Sequence, residues 1–180
     1  MKMKDSEKLI LLMLSEIYEN LEIDSSEVNP GFIKSAIFTD NTWGITWEYS
    51  MILSEETPVE VKDVVDILDM WDFIEESYQN LSNKEKIELK NKSEVWGEKP
   101  KFDGFDGNNE SKYKSIADFL INDLNRFQIF KGRYLNSHTR TIERYKRMFL
   151  TFDHMRKGLV SRLLSVNQLV EILERQNYHK

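Results

Sequence analysis

The most regular helical pattern in the chain is TPVEVKDVVDILDMWDFIEESYQNL, residues 57–81. Thr57, Pro58 and Glu60 together form a helix start signal: a capping threonine, a proline in the first turn and the glutamate of a capping box. Apolar side chains then recur every three or four residues, which is the period of one helix face. The pattern predicts a long amphipathic helix. Its apolar residues are Val61, Val64, Val65, Leu68, Trp71, Ile74, Tyr78 and Leu81.

The other face of this predicted helix is acidic. Asp63, Asp66 and Asp69 follow one another at intervals of three residues, and Glu76 continues the face. Carboxylates at this spacing lie side by side and resemble a metal-binding stripe, but no histidine is close in sequence to complete one. We therefore interpret the face as solvent-exposed and predict no metal site.

Helical periodicity also recurs outside this stretch. SEKLILLMLSEIYENL predicts a helix at 6–21, and its apolar side chains surround most of the circumference, so we expect it to be buried against several neighbours. Asn29 and Pro30 start a shorter helix, and 42–50 form a turn and a short helix. Further helices are predicted at 109–127, at 139–155 with Ile142, Tyr145, Phe149 and Phe152 facing inward, and from Ser165, where Gln168 completes a capping box.

The composition agrees with a helical fold. The 180 residues include only 7 glycines and 3 prolines, so turns are few, and no strand pattern is long enough to predict a sheet. We predict an all-α protein, a single domain at 1–180 formed by a bundle of about six to eight helices. A polar, lysine-rich connection is expected at about 83–101.

Several functions are excluded by residue types that the chain lacks. It has no cysteine, which excludes disulfides, cysteine-ligated zinc, iron–sulfur clusters and a thiol nucleophile. The longest apolar run, Leu9–Leu14, is too short to span a bilayer, and no signal peptide is recognisable. We expect a cytoplasmic protein without a membrane partner and without a cofactor.

The charge is distributed unevenly along the chain. The basic segment, residues 126–162, has a net charge of +8, whereas the whole chain has −6, so the remainder carries −14. This asymmetry indicates an anionic partner, an attraction between two parts of one fold, or an attraction between protomers. The cations are Arg126, Lys131, Arg133, Arg140, Arg144, Lys146, Arg147, Arg156, Lys157 and Arg162, against the acids Glu143 and Asp153.

The stretch FDGFDGNNESKYKSIADFL, residues 102–120, first suggests an ion site. An EF-hand loop ends on a glutamate at its twelfth position, but the twelfth residue is Lys114 when counted from Asp103 and Ala117 when counted from Asp106. A phosphate site is disfavoured because the glycines alternate with aromatic and acidic residues. We predict neither a calcium site nor a phosphate site here.

A structural role fits this stretch better. Phe102 and Phe105 are expected to anchor the loop on the core. Asp106 or Asn108 would then cap the helix that follows, and Glu110 would stabilise the positive end of that helix.

One pair of residues suggests catalysis. Arg147 and His154 are seven residues apart, so they lie on one helix face, roughly 10 Å apart along the axis, and this face points away from the predicted core. The pair resembles the site of HEPN ribonucleases, which forms where two protomers meet. His154 would transfer protons and Arg147 would stabilise the charge on the phosphorane. The competing interpretation is a solvent-exposed arginine and a histidine at a helix end, with no catalytic residue at all.

Non-catalytic RNA or DNA binding is another alternative. Basic residues alternate with aromatic ones between Arg133 and Tyr145, as in surfaces that bind single strands. However, Tyr145 is needed in the core, and no known RNA-reading module is recognisable.

Five segments in order resemble the YfbU family of bacterial proteins. They are EKLILLMLSEIYENL, SEETPVEVKDVVDILDMWDFIEESYQNL, FDGFDGNNESKY and the pair RYKRMFLTFDHM and LSVNQLVEIL, and they lie within residues 6–175. The resemblance implies an all-α, cytoplasmic and oligomeric protein, and it supplies no activity.

We therefore expect a bacterial, cytosolic, self-associating helical protein that works as an interaction or regulatory module. Its partner, apart from a second copy, is not specified by the sequence. The alternative is a HEPN-like, metal-independent ribonuclease or an RNA-binding protein that uses the basic segment. The residues expected at an oligomer or anionic-partner surface are Arg133, Arg140, Arg144 and Arg147.

Overall fold

A computed structural model describes residues 3–23, 27–159 and 163–177. This part of the chain forms eight α-helices and two short 3-10 helices, which confirms the predicted all-α fold and number of helices. None of these helices is both long and apolar enough to cross a membrane. The α-helices are α1 (Asp5–Asn20), α2 (Pro30–Phe38), α3 (Trp43–Glu48), α4 (Val59–Asn80), α5 (Asn83–Lys92), α6 (Ser111–Asn122), α7 (Ile142–Arg156) and α8 (Val166–Leu173), and the 3-10 helices are Gln128–Phe130 and Glu174–Gln176.

Helix α4 lies in the core, as its periodicity predicts. Its Trp71 packs edge-on against Tyr145 of α7, with ring centroids 5.4 Å apart, and also contacts Phe102. Tyr78 and Leu81 at the end of the predicted stripe are partly buried against the same core. The residues of the stripe that are completely or almost completely buried are Val61, Val64, Leu68, Trp71 and Ile74.

The start of α4 differs from the prediction. The helix begins at Val59, and its N-cap is Pro58, which provides no side-chain cap. The Thr57 hydroxyl instead accepts a hydrogen bond from the indole N–H of Trp47 at 3.0 Å, and Glu60 accepts one from Lys112 at 2.6 Å. Both side chains are therefore used for tertiary contacts, which a local capping pattern does not reveal.

Two other helix ends also differ from the prediction. Helix α6 ends at Asn122 rather than at 127, because Asn125 and Phe127 adopt left-handed backbone angles, with φ of 51° and 48°. Helix α7 begins at Ile142 rather than at 139. On its inward face Met148 is fully buried, whereas Phe149 is only partly buried.

The lysine-rich connection contains helix α5 and packs against the end of the chain that the structure describes. Leu89 of α5 is fully buried. The Ser93 hydroxyl donates a hydrogen bond to Glu174, and the Trp96 indole donates one to Asn177 at 2.9 Å. These contacts join α5 and the turn after it to the region of α8.

Helices α1 and α2 form a hairpin. Asn29 caps α2 as predicted, since its side chain accepts a hydrogen bond from the Phe32 amide at 3.0 Å. Lys34 of α2 pairs with Glu19 of α1, and Lys8 pairs with Asp40 at 3.5 Å. The expectation that α1 is buried against several neighbours is wrong, because Ser15 is the one buried residue within this helix.

Candidate functional site

The outer side of α1 is an apolar surface in contact with solvent. We call this surface the α1 strip. Its six large side chains are between 51% and 66% exposed. They are Leu9, Ile10, Met13, Leu14, Ile17 and Leu21.

The helical period explains why α1 has two apolar sides. At about 100° per residue, the α1 strip lies opposite Ser15. The Ser15 side, with the partly buried Leu11 and Leu12, faces the rest of the protein. The sequence predicts an apolar helix correctly, but it does not indicate that the fold covers only one side of that helix.

The α1 strip is large for an apolar patch on the surface of a monomer. With roughly 100 Å² exposed per side chain, the strip measures on the order of 600 Å², the upper end of the range for the largest apolar patch of an ordinary monomer. Leaving a large side chain half exposed forgoes about 1 kcal/mol of burial free energy. The strip therefore favours a contact that removes it from water.

Two further exposed apolar residues lie in the turn that follows α3. The Asn29 amide at the start of α2 donates a hydrogen bond to the Tyr49 hydroxyl at 3.0 Å. Two residues after Tyr49, a turn carries Met51 and Ile52, whose exposed fractions are 100% and 83%. This contact holds an apolar turn close to the helix pair that carries the strip.

Within the basic segment, Arg133 is bound to α4. Its two terminal nitrogens donate to the two carboxylate oxygens of Glu75, both at 2.8 Å. Glu75 also accepts a hydrogen bond from the Phe102 amide at 2.8 Å. Since the Glu75 side chain is buried, Arg133 provides the charge that allows a carboxylate at this position.

Two cations of α7 pair with the acidic face of α4. Lys146 is 2.7 Å from Asp63, and this hydrogen bond raises the pKa of Lys146 above its usual value. Arg156 is 3.2 Å from Asp69. Asp66 lies between Asp63 and Asp69 in the sequence, and burial raises its pKa. The interpretation of this acidic face as solvent-exposed is therefore wrong in part, because α7 covers and partly neutralises it.

Arg144 lies between aromatic rings at the other end of α7. Its guanidinium is 5.5 Å from the centre of the Trp96 ring and 5.1 Å from that of Tyr145, and it donates to Asp103 at 3.0 Å. Burial raises the pKa of Tyr145 to about 12, so this phenol stays neutral. Arg140 donates to the side-chain oxygen of Asn109 at 3.3 Å.

The basic segment is thus largely engaged with its own chain. Of the three explanations of the charge asymmetry, attraction between two parts of one fold is directly visible in the pairs of Arg133, Lys146 and Arg156 with α4. Arg162 lies outside the described residues. A partner for the surface of Arg133, Arg140, Arg144 and Arg147 stays a prediction.

Arg147 and His154 lie on the side of α7 that faces the chain around α8. Arg147 donates to the backbone carbonyls of Arg175 and Gln176 at 3.2 and 3.3 Å. His154 is exposed and lines a groove of about 550 Å³, together with Leu150, Thr151, Met155, Glu171 and Arg175. The nuclease would also need a second protomer at this groove, so this pair of catalytic residues stays a prediction.

The loop at 102–110 is anchored as predicted, but its capping differs. Phe102 and Phe105 are buried, and Glu110 is the N-cap residue of α6, with no cap from the side chain of Asp106 or Asn108. Asp106 instead accepts hydrogen bonds from Asn109 and from the Asn108 amide, which hold its pKa below the usual value. The described part of the chain contains no group of three or more histidines or acids placed to hold a metal ion.

Glu110 has a role that the sequence did not reveal. The residue is 5% exposed, and its carboxylate accepts hydrogen bonds from the amides of Thr141, at 2.9 and 3.0 Å, and Ile142, at 2.9 Å. It also accepts the Asp106 amide at 3.0 Å. Glu110 thus caps α7, about thirty residues away, as well as beginning α6. No local pattern identifies a cap supplied from such a distance.

Comparison with known proteins identifies one family. Residues 1–175, nearly the whole chain, match the family model described as the YfbU domain. The UPF0304 protein MJECS11 of Methanocaldococcus jannaschii is 33% identical over 103 residues. That match covers 54% of this chain and 57% of the relative, so the chain spans little more than half the length of the curated relative it matches.

Proposed function

The chain belongs to the YfbU family, and we propose that it works as a self-associating helical module whose contact surface is the α1 strip. One observation carries the proposal: six large apolar side chains are more than half exposed on one side of a helix whose other side is packed. Burying them between two molecules gains about 25 cal/mol per Å². The cysteine-free sequence is compatible with a cytoplasmic location.

The basic segment supports this function less well than the α1 strip. Arg133, Lys146 and Arg156 are each paired with an acid of α4, so their charge is partly neutralised before any partner arrives. Arg147 already donates to two backbone carbonyls, which leaves the ribonuclease alternative with less support. We therefore assign the self-association to α1 and not to α7.

Size-exclusion chromatography of matched variants tests the proposal. We expect the wild type to elute as an oligomer and Ile17→Glu to elute as a monomer, because a carboxylate at the α1 strip cannot be buried without a partner charge. The control is Ile87→Glu on α5, where the isoleucine is 61% exposed, compared with 51% for Ile17. It should elute like the wild type.

Two outcomes would contradict the proposal. In one, the wild type elutes as a monomer at every concentration. In the other, the charge at Ile87 disrupts the oligomer as effectively as the charge at Ile17.

A further inference from the structure

We infer that the α1 strip binds the α1 strip of a second copy, as an antiparallel pair whose two-fold axis passes close to Met13 and Leu14; the inference rests on the proposed function. It specifies the partner surface and the direction of pairing, which self-association alone leaves open. Area, residue register and charge support it separately.

The area favours a contact between two identical strips. A two-fold contact uses the same patch on both molecules, so two strips together bury on the order of 1,200 Å². This is near the lower limit of about 1,200–2,000 Å² for stable, specific interfaces.

The register of the strip is compatible with a two-fold axis at its centre. When Met13 of one molecule lies beside Leu14 of the other, Ile10 lies opposite Ile17. Each large side chain in the middle of the strip thus meets another large side chain. Leu21, at the end of the strip, lies opposite Ser6, where no large side chain competes for the space.

The charges at the two ends of α1 determine the direction. The C-terminal end carries Glu16, Glu22 and Glu19, of which Glu19 pairs with Lys34 of α2, and the last turn of the helix has no basic residue. A parallel pair would bring the two acidic ends together. An antiparallel pair instead places each acidic end beside the partner's helix N-terminus, which has a partial positive charge and where Lys4 and Lys8 balance Asp5 and Glu7, so that fewer like charges meet.

A different surface of the second copy could receive α1. The groove with Leu150, His154 and Arg175 is partly apolar and carries basic groups. A single contact of this kind is heterologous and leads to a ring or an open chain, whereas a reciprocal pair of them closes a dimer but leaves the two α1 strips apart. The experiment therefore has to distinguish binding of α1 to this groove from binding of α1 to the α1 strip of the second copy.

Disulfide mapping suits this chain because it has no native cysteine. Met13→Cys should form a covalent dimer on oxidation, since the two cysteines meet at the axis. Leu21→Cys alone should not form a covalent dimer. In the antiparallel pair, Leu21 of one molecule and Leu21 of the other are roughly 22 Å apart at 1.5 Å per residue, far beyond disulfide reach. A mixture of Leu21→Cys and Ser6→Cys should give the mixed dimer. All these positions lie on the solvent side of α1, and circular dichroism checks that each variant folds.

The outcomes separate the inference from the proposed function. The inference is overturned if the protein is oligomeric but Leu21→Cys links to itself, which indicates a parallel pair. It is equally overturned if Met13→Cys links to Leu150→Cys and not to itself, or if no α1 cysteine links at all. The first two results leave the proposed function intact, because the α1 strip is still a contact surface. An oligomer in which no α1 cysteine links keeps self-association but overturns its assignment to the α1 strip. A wild type that is monomeric in solution overturns both.

Discussion

At the scale of single residues, Gly104 permits a close approach of two segments. Its φ is +89°, and a Cβ atom at this position would lie 2.3 Å from the backbone of Leu135. The neighbouring Phe105 amide donates to the Leu135 carbonyl at 3.2 Å. The glycine therefore allows the loop at 102–110 to pair with the segment after Gly132.

Gly104→Ala is expected to destabilise the protein strongly, because the new methyl group meets backbone atoms that cannot move aside. Gly132→Ala is a matched control, since Gly132 also has a positive φ, of +76°, but has no atom within 4 Å of the added Cβ. The control should lose only about 1–2 kcal/mol, the cost of left-handed backbone for alanine. Urea unfolding measures the loss of stability in each of the two variants. Equal losses would show that the steric explanation is wrong.

Asp72 gives a prediction for pH dependence. Burial, followed by the nearby charges of Glu76 and Asp69, raises its pKa above the ordinary value of 3.8. The folded state therefore binds a proton more tightly than the unfolded state, and ionisation of Asp72 destabilises the fold as the pH rises through the folded pKa.

Asp72→Asn should accordingly have a higher melting temperature than the wild type at pH 7. The difference should shrink as the pH falls toward 3.8, because the wild-type carboxyl is then protonated as well. Thermal unfolding followed by circular dichroism at several pH values measures this difference. A constant difference at all pH values would indicate a cause other than ionisation.

At the scale of helices, the sequence predicted the elements better than their ends. The long helix α4 followed from its periodicity, and the predicted capping box of Ser165 and Gln168 forms in the structure. The end of α6 depends on left-handed residues, and the start of α4 depends on a contact between Thr57 and Trp47. The buried face of α4 was thus apparent from local spacing, whereas the start of α4 depended on a tertiary contact and the end of α6 on left-handed backbone.

Glu110 connects two helices, and its replacement tests that connection. Glu110→Ala would leave the buried amides of Thr141 and Ile142 without an acceptor, with an expected cost of about 2–4 kcal/mol in the free energy of unfolding. Glu110→Gln keeps one acceptor oxygen and should lose less.

Chemical denaturation of both Glu110 variants provides the comparison. The expected order of stability is wild type, then Glu110→Gln, then Glu110→Ala. An alanine variant as stable as the wild type would show that water replaces the carboxylate and that this cap contributes little.

At the scale of the whole molecule, the sequence indicated the charge asymmetry and gave attraction within the fold as one of three explanations, but it did not indicate which residues pair. The pairing of α7 with α4 brings Lys146 and Asp63 together although 83 positions separate them, and no local pattern reports such a contact. The same limit applies to the α1 strip. An apolar helix was predictable from the sequence, but whether its sides face the core or the solvent depends on the packing of the complete chain.

Sedimentation equilibrium of the wild-type protein over a wide concentration range tests the central claim most directly. The monomer has a mass of 21.4 kDa. Self-association through the α1 strip predicts an average mass that rises with concentration to at least twice this value, and that stays at the monomer value for Ile17→Glu. A wild-type mass that remains at that of the monomer throughout would contradict the account.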